Sequence, residues 1–550
     1  MRGIHISFLI TLGCLFACAC TKPSTPQAYI AATPLADPEV RDGTEIYLGS
    51  DRYMITATKT SKRSKTKHAP VDTEFILTKS PDISVGVSGG MSTETDLEHA
   101  KVHEQNDAQS FVPASITKVL TTASALRALG ADFKFKTRIG FELASNGQAS
   151  NLTIESDGDP TVGDEFRGST SGTQMGDFTS ALKSKGVREI AGPITLVSSD
   201  PRVDAAVYAP GIPNEDMRAC YGAMASTFNF RSNCAAVKVN AKNGFTWESP
   251  GIAEFMTGSL DTVAGDRTSL AFSPVLTAER ILQGFLLRGI FLAKAPKNLR
   301  LEVPVGNAAG WYAQEFLKAA KAAKILLVKS SVKFASTWGE RSAAETVFHN
   351  PASHTLTFDS SPLSQLVEAT NKPSNNFLAD SIFKAMGSRL TERSDASLQD
   401  GSRRKVRESL DAWLRADGHA GWSKDFAVFD GAGLSADNRA TPRAFAAVLR
   451  SMSKEPTFSA LWNSLPIAGV DGTLADRMKN TTAAGNVRGK TGTLSGAYQL
   501  VGFIPKMRGT VTEYVPFVIL TATTVRNRDL VRRFQDAVVV KMFDTVNPAK

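Results

Sequence analysis

The segment AAGNVRGKTGTLSG, Ala483 to Gly496, constrains the fold of this chain more than any other stretch. Read from Ala484, it fits a relaxed phosphate-loop pattern: a small residue, four spacers, then Gly489-Lys490-Thr491. A phosphate loop works because a strand leads into a glycine-rich turn, and a helix opening at the Lys-Ser/Thr pair aims its N–H groups at phosphate. Here the order is reversed. Helix-like LADRMKN precedes the motif, Gly492 and Gly496 would break a helix at its start, and the following TLSGAYQLVGFIP favours extended chain. Lys490, Thr491, Gly492 and Thr493 are therefore expected on a strand, which sets the nucleotide reading aside. On an edge strand, a lysine with neighbouring threonine hydroxyls suits a carboxylate, and Gly492 lets another backbone approach closely.

Such a receptor is a site in search of a nucleophile, and PASITK supplies one. Ser115 and Lys118 are three apart near a predicted helix start, so they share a face. The amine can reach the hydroxyl, and the helix N-terminus favours developing negative charge. A lone S-x-x-K is common by chance. A third element changes its weight: Ser374-Asn375-Asn376 fits S-x-N, in the loop NKPSNN between two helical patterns. S-x-x-K, S-x-N and K-T-G in that order form the motif set of penicillin-binding proteins and serine β-lactamases.

Longer stretches carry the same signal: VPASITKVLTTASALRALG, SDGDPTVGDEF, EATNKPSNNFLAD, FDGAGLSADNRATP, AGVDGTLADRM and RGKTGTLSGAYQLVGFIP. On these residues the chain resembles the class C low-molecular-mass penicillin-binding proteins, a family of serine-type D-alanyl-D-alanine carboxypeptidases and endopeptidases. The resemblance implies an α+β fold: a β-lactamase/transpeptidase-like catalytic domain, its antiparallel sheet flanked by helices, with a β-rich domain inserted between Ser115 and Ser374. It implies that Ser115 attacks a D-Ala-D-Ala peptide and forms an acyl-enzyme that water hydrolyses. Lys118, its pKa lowered by desolvation and by the nearby Lys490 charge, would activate Ser115. Ser374 would relay the proton to the leaving D-alanine, and Asn376 would hold Lys118 and the substrate amide. Lys490, Thr491, Gly492 and Thr493 would receive the terminal carboxylate, and the backbone N–H groups of Ser115 and Thr493 would form the oxyanion hole. The implied partners are peptidoglycan peptide stems, with β-lactams as covalent inhibitors and no cofactor or metal.

Two other functions compete. A serine β-lactamase would differ in fast deacylation, yet the chain is long for one and has no E-x-x-L-N segment to position a deacylating water. A non-catalytic penicillin-binding sensor or wall-binding module would keep the pocket without turnover. Three intact motifs argue against a degenerate site.

The rest of the chain bounds location and organisation. At 550 residues it exceeds one hydrophobic core, so more than one domain is expected. MRGIHISFLITLGCLFACACTKPSTP has an early arginine, an apolar run and then small residues, the layout of a secretory signal too short to span a membrane. Cleavage after Ala19 competes with lipoprotein processing at LFAC, which would tether the chain to a membrane through lipid on Cys18. Export to the periplasm is expected either way. With Cys14, Cys18 and Cys20 in that segment, Cys220 and Cys234 remain as an even pair, open to a disulfide or to two buried thiols.

The formal charge is +9, but Lys59, Lys62, Arg63, Lys65 and Lys67 supply five positive charges within TKTSKRSKTKH. That run reads as a solvated linker, and without a basic fold motif or interleaved aromatics no nucleic-acid partner is expected. The expected partition is a signal over 1–19, a tether over 20–81, a catalytic domain from 82–145 with 351–550, and inserted sequence over 146–350. The closing RDLVRRFQDAVVVKMF reads as a helix whose apolar face packs on a sheet. His99 and His103 lack any HExxH pattern and read as surface residues. Asp157, Asp159 and Asp164 do not fit a calcium loop and read as a turn. Oligomeric state is not legible from the sequence.

Overall fold

Strand β1 (Ile83–Gly89) alternates Ile83, Val85 and Val87 with small residues and ends in glycine, the expected strand pattern. A 3-10 turn, Ala114–Ile116, then leads into helix α1 (Thr117–Leu129), whose first ten residues are buried. Between Lys118 and Arg127 this helix carries no charge, so it has no face to give to water. Gly130 ends it with a φ of +85°. This computed structural model describes residues 108–548 except 164, 167–169, 172, 201–207, 241–243, 248–255, 264–268, 277–281, 293–298, 336, 389–397, 495, 509 and 524–527. Before 108 it describes only strand backbone, at 40–41, 45–48, 51–60, 72–77 and 83–89. Cys18, His99, His103 and Asp164 lie outside the described residues.

The chain next builds a separate sheet. Strands β2 (Lys136–Leu143) and β3 (Gln148–Ser156) pair antiparallel across the expected turn at Gly147. Helix α2 (Met175–Ser184) leads to β4 (Glu189–Ala191) and β5 (Ile194–Ser198), which follow one another along β3 and run parallel to it. Helix α3 (Ala308–Ala322) leads to β6 (Leu326–Val328) and β7 (Val332–Ala335), parallel to β4 and β5. Parallel neighbours need crossovers, and the two helices provide them. They pack Phe178, Leu182, Trp311 and Phe316 against Ile154, Ile190 and Leu196.

Strand β8 (His354–Asp359) closes this sheet by pairing antiparallel with β2. The sequence partition had put residues 136–143 and 354–359 in the catalytic part. Their backbone partners place them in one sheet with Gln148–Ser156, which that partition had put in the other part, because a strand pattern records which residues face a core but not which strand lies alongside.

Helices α4 (Leu363–Asn371), α5 (Asn376–Ser388), α6 (Leu398–Ala416), α7 (Pro442–Met452) and α8 (Phe458–Ser464) follow, and their buried apolar residues share one core with α1. The chain ends with β9 (Arg488–Leu494), β10 (Ala497–Arg508), β11 (Thr510–Thr523) and helix α9 (Arg528–Val546). The sheet order is β9-β10-β11-β1, antiparallel throughout, so the front of the chain is paired to its end.

Strand periodicity divides this sheet between two layers. Val501, Phe503, Val518 and Leu520 join the core around α1 and α7, while Leu500, Ile504, Phe517 and Ile519 meet Phe534, Val538 and Met542 of α9. The last helix thus packs on a sheet, as its sequence suggested. Among the described residues, no helix is long and apolar enough to cross a membrane.

Two local expectations differ from the structure. LADRMKN forms no α-helix: a 3-10 turn at Gly472–Leu474 gives way to turns in which Met478 and Asn480 take positive φ. Within 20–81, expected to hold little packed structure, Glu45–Leu48, Asp51–Thr60 and Asp72–Leu77 run as antiparallel strands. Asp51–Thr60 is rich in threonine and also holds Tyr53 and Ile55, a strand-forming content that the lysines beside it obscure.

Candidate active site

Ser115 sits on the turn before α1, where Ala114 takes a φ of +49°. Left-handed backbone costs an alanine roughly 1–2 kcal/mol, so the surroundings must impose it. Three contacts do so. Gly433 lies against the Ala114 carbonyl so closely that a Cβ there would overlap it. A Cβ on Gly492 would stand 2.7 Å from the Pro113 carbonyl oxygen, so the close approach expected of this glycine is to the serine turn itself. Gln499, buried on β10, donates to the Val112 carbonyl at 2.6 Å and accepts from the Thr521 N–H at 2.7 Å.

Lys118 is fully buried, and its Nζ donates to Ser115 Oγ at 3.0 Å and to the Ala432 carbonyl at 2.5 Å. Burial lowers its pKa to about 7, against the opposing pull of Asp430. The shared helix face read from the sequence therefore does bring amine and hydroxyl together.

Lys490 is also fully buried, donating to Ser374 Oγ at 2.8 Å and to the Thr491 carbonyl at 2.9 Å. Burial holds this amine well below the ordinary lysine range, and the Lys118 charge lowers it further. Desolvation, expected from the sequence to lower Lys118, is the leading cause for both amines, and the repulsion between them is mutual.

The S-x-N loop joins α4 to α5. Asn375 caps α5 by accepting the Leu378 N–H at 3.0 Å, and Ser374 adopts a φ of +66° with its hydroxyl toward Lys490. Lys372 anchors the loop from below, with an ion pair of 2.5 Å to Asp471 and a bond of 2.9 Å to the Leu465 carbonyl. Thr491 Oγ1 donates to Thr473 at 2.9 Å, and Thr493 is exposed near the end of β9.

Asn376 differs from its expected place. Its Nδ2 donates to the Tyr221 carbonyl at 2.8 Å, whereas the Lys118 amine bonds Ser115 and Ala432. Tyr221 belongs to a 3-10 turn, Cys220–Gly222, that a Cys220–Cys234 disulfide joins to the strand Cys234–Asn240. Of the two readings left open for these cysteines, the structure has the disulfide. A cavity of about 560 Å³ opens beside this loop, lined by Tyr221, Arg231, Trp311, Ser374, Asn375 and Asn376.

Gln499, Asp430 and Tyr221 were not among the sequence candidates. Gln499 and Tyr221 had no local signal, since one is a polar residue in a strand and the other lies 153 residues before Ser374. Asp430 had one, an acid before closely spaced glycines in FDGAGLSADN, as in a tight turn. Asp159 serves a local turn, accepting from the Thr161 N–H at 2.9 Å, whereas Asp157 accepts from the Lys136 N–H at 2.7 Å at the start of the neighbouring strand β2.

Comparison with known proteins gives the arrangement a lineage. A family model described as D-Ala-D-Ala carboxypeptidase 3 (S13) matches residues 71–540. Over 458 residues the chain is 27% identical to a D-alanyl-D-alanine carboxypeptidase of Actinomadura sp. (strain R39), covering 80% of this chain and 78% of that one. Over 449 residues it is 26% identical to the D-alanyl-D-alanine carboxypeptidase DacB of Haemophilus influenzae, covering 79% and 85%. The fold is similar to the crystal structure of penicillin binding protein 4 (dacB) from Haemophilus influenzae, with a TM-score of 0.65, 21% identity, and coverage of 84% of this chain and 97% of that one. The matched span starts ahead of β1, ends within α9 and includes all three motifs, so the protein belongs to the D-Ala-D-Ala carboxypeptidase 3 (S13) family of serine peptidases.

Proposed function

We propose that this chain is a serine-type D-alanyl-D-alanine carboxypeptidase, with a second activity as an endopeptidase on crosslinked peptidoglycan, and that both run through an acyl-enzyme on Ser115. The observation that carries the reading is the Lys118 amine 3.0 Å from Ser115 Oγ in a fully buried setting, where it can be neutral near pH 7. Neutral Lys118 takes the hydroxyl proton as Ser115 Oγ bonds to the penultimate D-Ala carbonyl carbon. Ser374, which accepts from Lys490, passes a proton to the leaving amine in this proposal.

Two buried amines side by side resist carrying charge together, and an arriving terminal carboxylate supplies the countercharge that lets Lys490 ionise. Thr491 and Thr493 add hydroxyls on the same strand, and Gly492 keeps that strand against the serine turn. The oxyanion-hole role of the Ser115 and Thr493 N–H groups belongs to this proposal. So does the approach of Asn376 to the substrate amide, which requires the side chain to leave the Tyr221 carbonyl.

The endopeptidase activity follows from the same chemistry, since acylation at Ser115 serves any D-Ala amide whose leaving group fits. Peptide stems of this kind lie outside the cytoplasm, which supports export and a periplasmic location. Lipid on Cys18 would then hold the chain at a membrane.

The test is mass analysis of purified muropeptides before and after incubation. Loss of one D-alanine from pentapeptides and splitting of crosslinked dimers are the expected products. Ser115→Ala should abolish both, together with labelling by a fluorescent penicillin; persistent labelling would sink the assignment. Sustained nitrocefin turnover with untouched muropeptides would instead make the chain a β-lactamase.

A further inference from the structure

A loop outside the three motifs touches two of them. Between α6 and α7, residues Asp430 to Leu434 fold under the start of α1. The Gly431 carbonyl accepts from Thr121 Oγ1 at 2.8 Å, the Ala432 carbonyl accepts from Lys118 Nζ at 2.5 Å, and Gly433, at a φ of +83°, packs on the Ala114 carbonyl.

Asp430 holds this loop in shape. It is 5% exposed, and its carboxylate accepts from the Gly433 N–H at 3.2 Å, the Leu434 N–H at 2.7 Å and Asn438 Nδ2 at 2.6 Å. Burial raises the Asp430 pKa, and the Asn438 and Leu434 donors and the Lys118 charge oppose that rise in favour of the anion. The charged groups facing it are Lys118 on α1 and Asp380 on α5, the latter in an ion pair of 2.9 Å with Lys384. Facing Lys118 are Asp430 itself and, from β9, Lys490.

We propose that Asp430 is a positioning residue for acylation that acts through Lys118: it shapes the loop so that the Ala432 carbonyl meets the amine, and its buried charge steadies the protonated form. This rests on the reading of Ser115 and Lys118 given above. As acylation begins the Ser115 O–H bond breaks, its proton moves to Lys118 Nζ, Oγ bonds to the substrate carbonyl carbon and the C=O π pair moves to oxygen; the pair then re-forms the carbonyl as the C–N bond breaks and the amine leaves with a proton. Asp430 exchanges no proton. An anion beside the ammonium created in that step stabilises it, at the expense of a smaller neutral fraction of Lys118 at rest.

The test is the second-order rate of acylation by a fluorescent penicillin, measured on the full chain from about pH 5 to pH 9. Asp430→Asn removes the charge, so the midpoint of the acid limb should move about one pH unit lower while the plateau falls about tenfold. A purely structural role would lower the rate and the melting temperature and leave the midpoint in place; an unmoved or raised midpoint overturns the proposal. Should Asp430→Asn not fold, Asn438→Ala decides. It removes the donor that most favours the Asp430 anion, so the carboxyl shifts toward its neutral form and the midpoint must fall, and a midpoint that stays put overturns the proposal. Ser115→Ala separates the two levels. If it still labels, the site reading fails; if it is silent while the midpoint does not move, only the role of Asp430 fails.

Discussion

A lysine that must lose a proton near neutrality needs an environment hostile to its charge, and the sequence places Lys118 in a helix with no other charged residue until Arg127. That environment carries a stability cost. The Lys118 pKa is lowered to about 7 in the fold and returns to the ordinary lysine value of 10.5 on unfolding, so between these values the unfolded chain holds a proton that the folded chain lacks. Stability from this residue therefore rises with pH through that window, and the penalty is complete below pH 7. Lys118→Met is expected to abolish acylation yet raise the melting temperature by roughly 2–4 °C at about pH 6, an advantage that shrinks as the pH is raised. Thermal melts of both proteins across that range check the sign.

At the scale of elements, the site is a contact between the edge strand β9 and the turn ahead of α1. Neither Gly489 nor Gly492 needs an unusual φ, so the case for glycine at 492 is room and not conformation. Gly492→Ala would place a methyl 2.7 Å from the Pro113 carbonyl and push the strand carrying Lys490 away from Ser115. Displacements near 1 Å at a reacting pair cost about 100-fold, so acylation should fall by about that factor while the melting temperature changes little. Stopped-flow labelling beside a thermal melt tests this. An unaffected rate would mean that β9 does not set the geometry.

At the scale of the molecule, residues far apart in sequence are tied together around helix α5. Asp380 on α5 accepts from the Ala225 N–H at 2.8 Å, and Lys384 on the same helix donates to the Ala225 carbonyl at 2.6 Å. The two side chains also pair with each other at 2.9 Å and are almost fully buried. Helix α5 begins at Asn376, whose amide is held by Tyr221 beside the disulfide, so Tyr221 and Ala225 hold this helix at two places, the first of them in the S-x-N loop. Lys384→Met leaves Asp380 buried without its cation and should cost about 3 kcal/mol in chemical denaturation. Acylation should slow as the start of α5 loosens.

The sequence alone was enough to show the family's motifs and much of the local form. Three short motifs marked the serine, both lysines and the S-x-N loop, because the proposed nucleophile, base and carboxylate receptor each need particular atoms in a short local pattern. The strands at Ile83–Gly89 and Arg488–Leu494, the helix stop at Gly130 and the packing of the last helix were legible for a similar reason, since periodicity and glycine act over a few residues.

Only the tertiary structure decided which strands share a sheet, how deeply Lys118 and Lys490 are buried together, and where Asn376 finds its acceptor. It also brought in Asp430, 312 residues after Lys118, and Gln499, which ties β10 to the backbone just before Ser115. The reason is physical. Pairing, burial and Coulomb interaction depend on distances across the folded chain, and residues hundreds of positions apart acquire those distances only when the core forms.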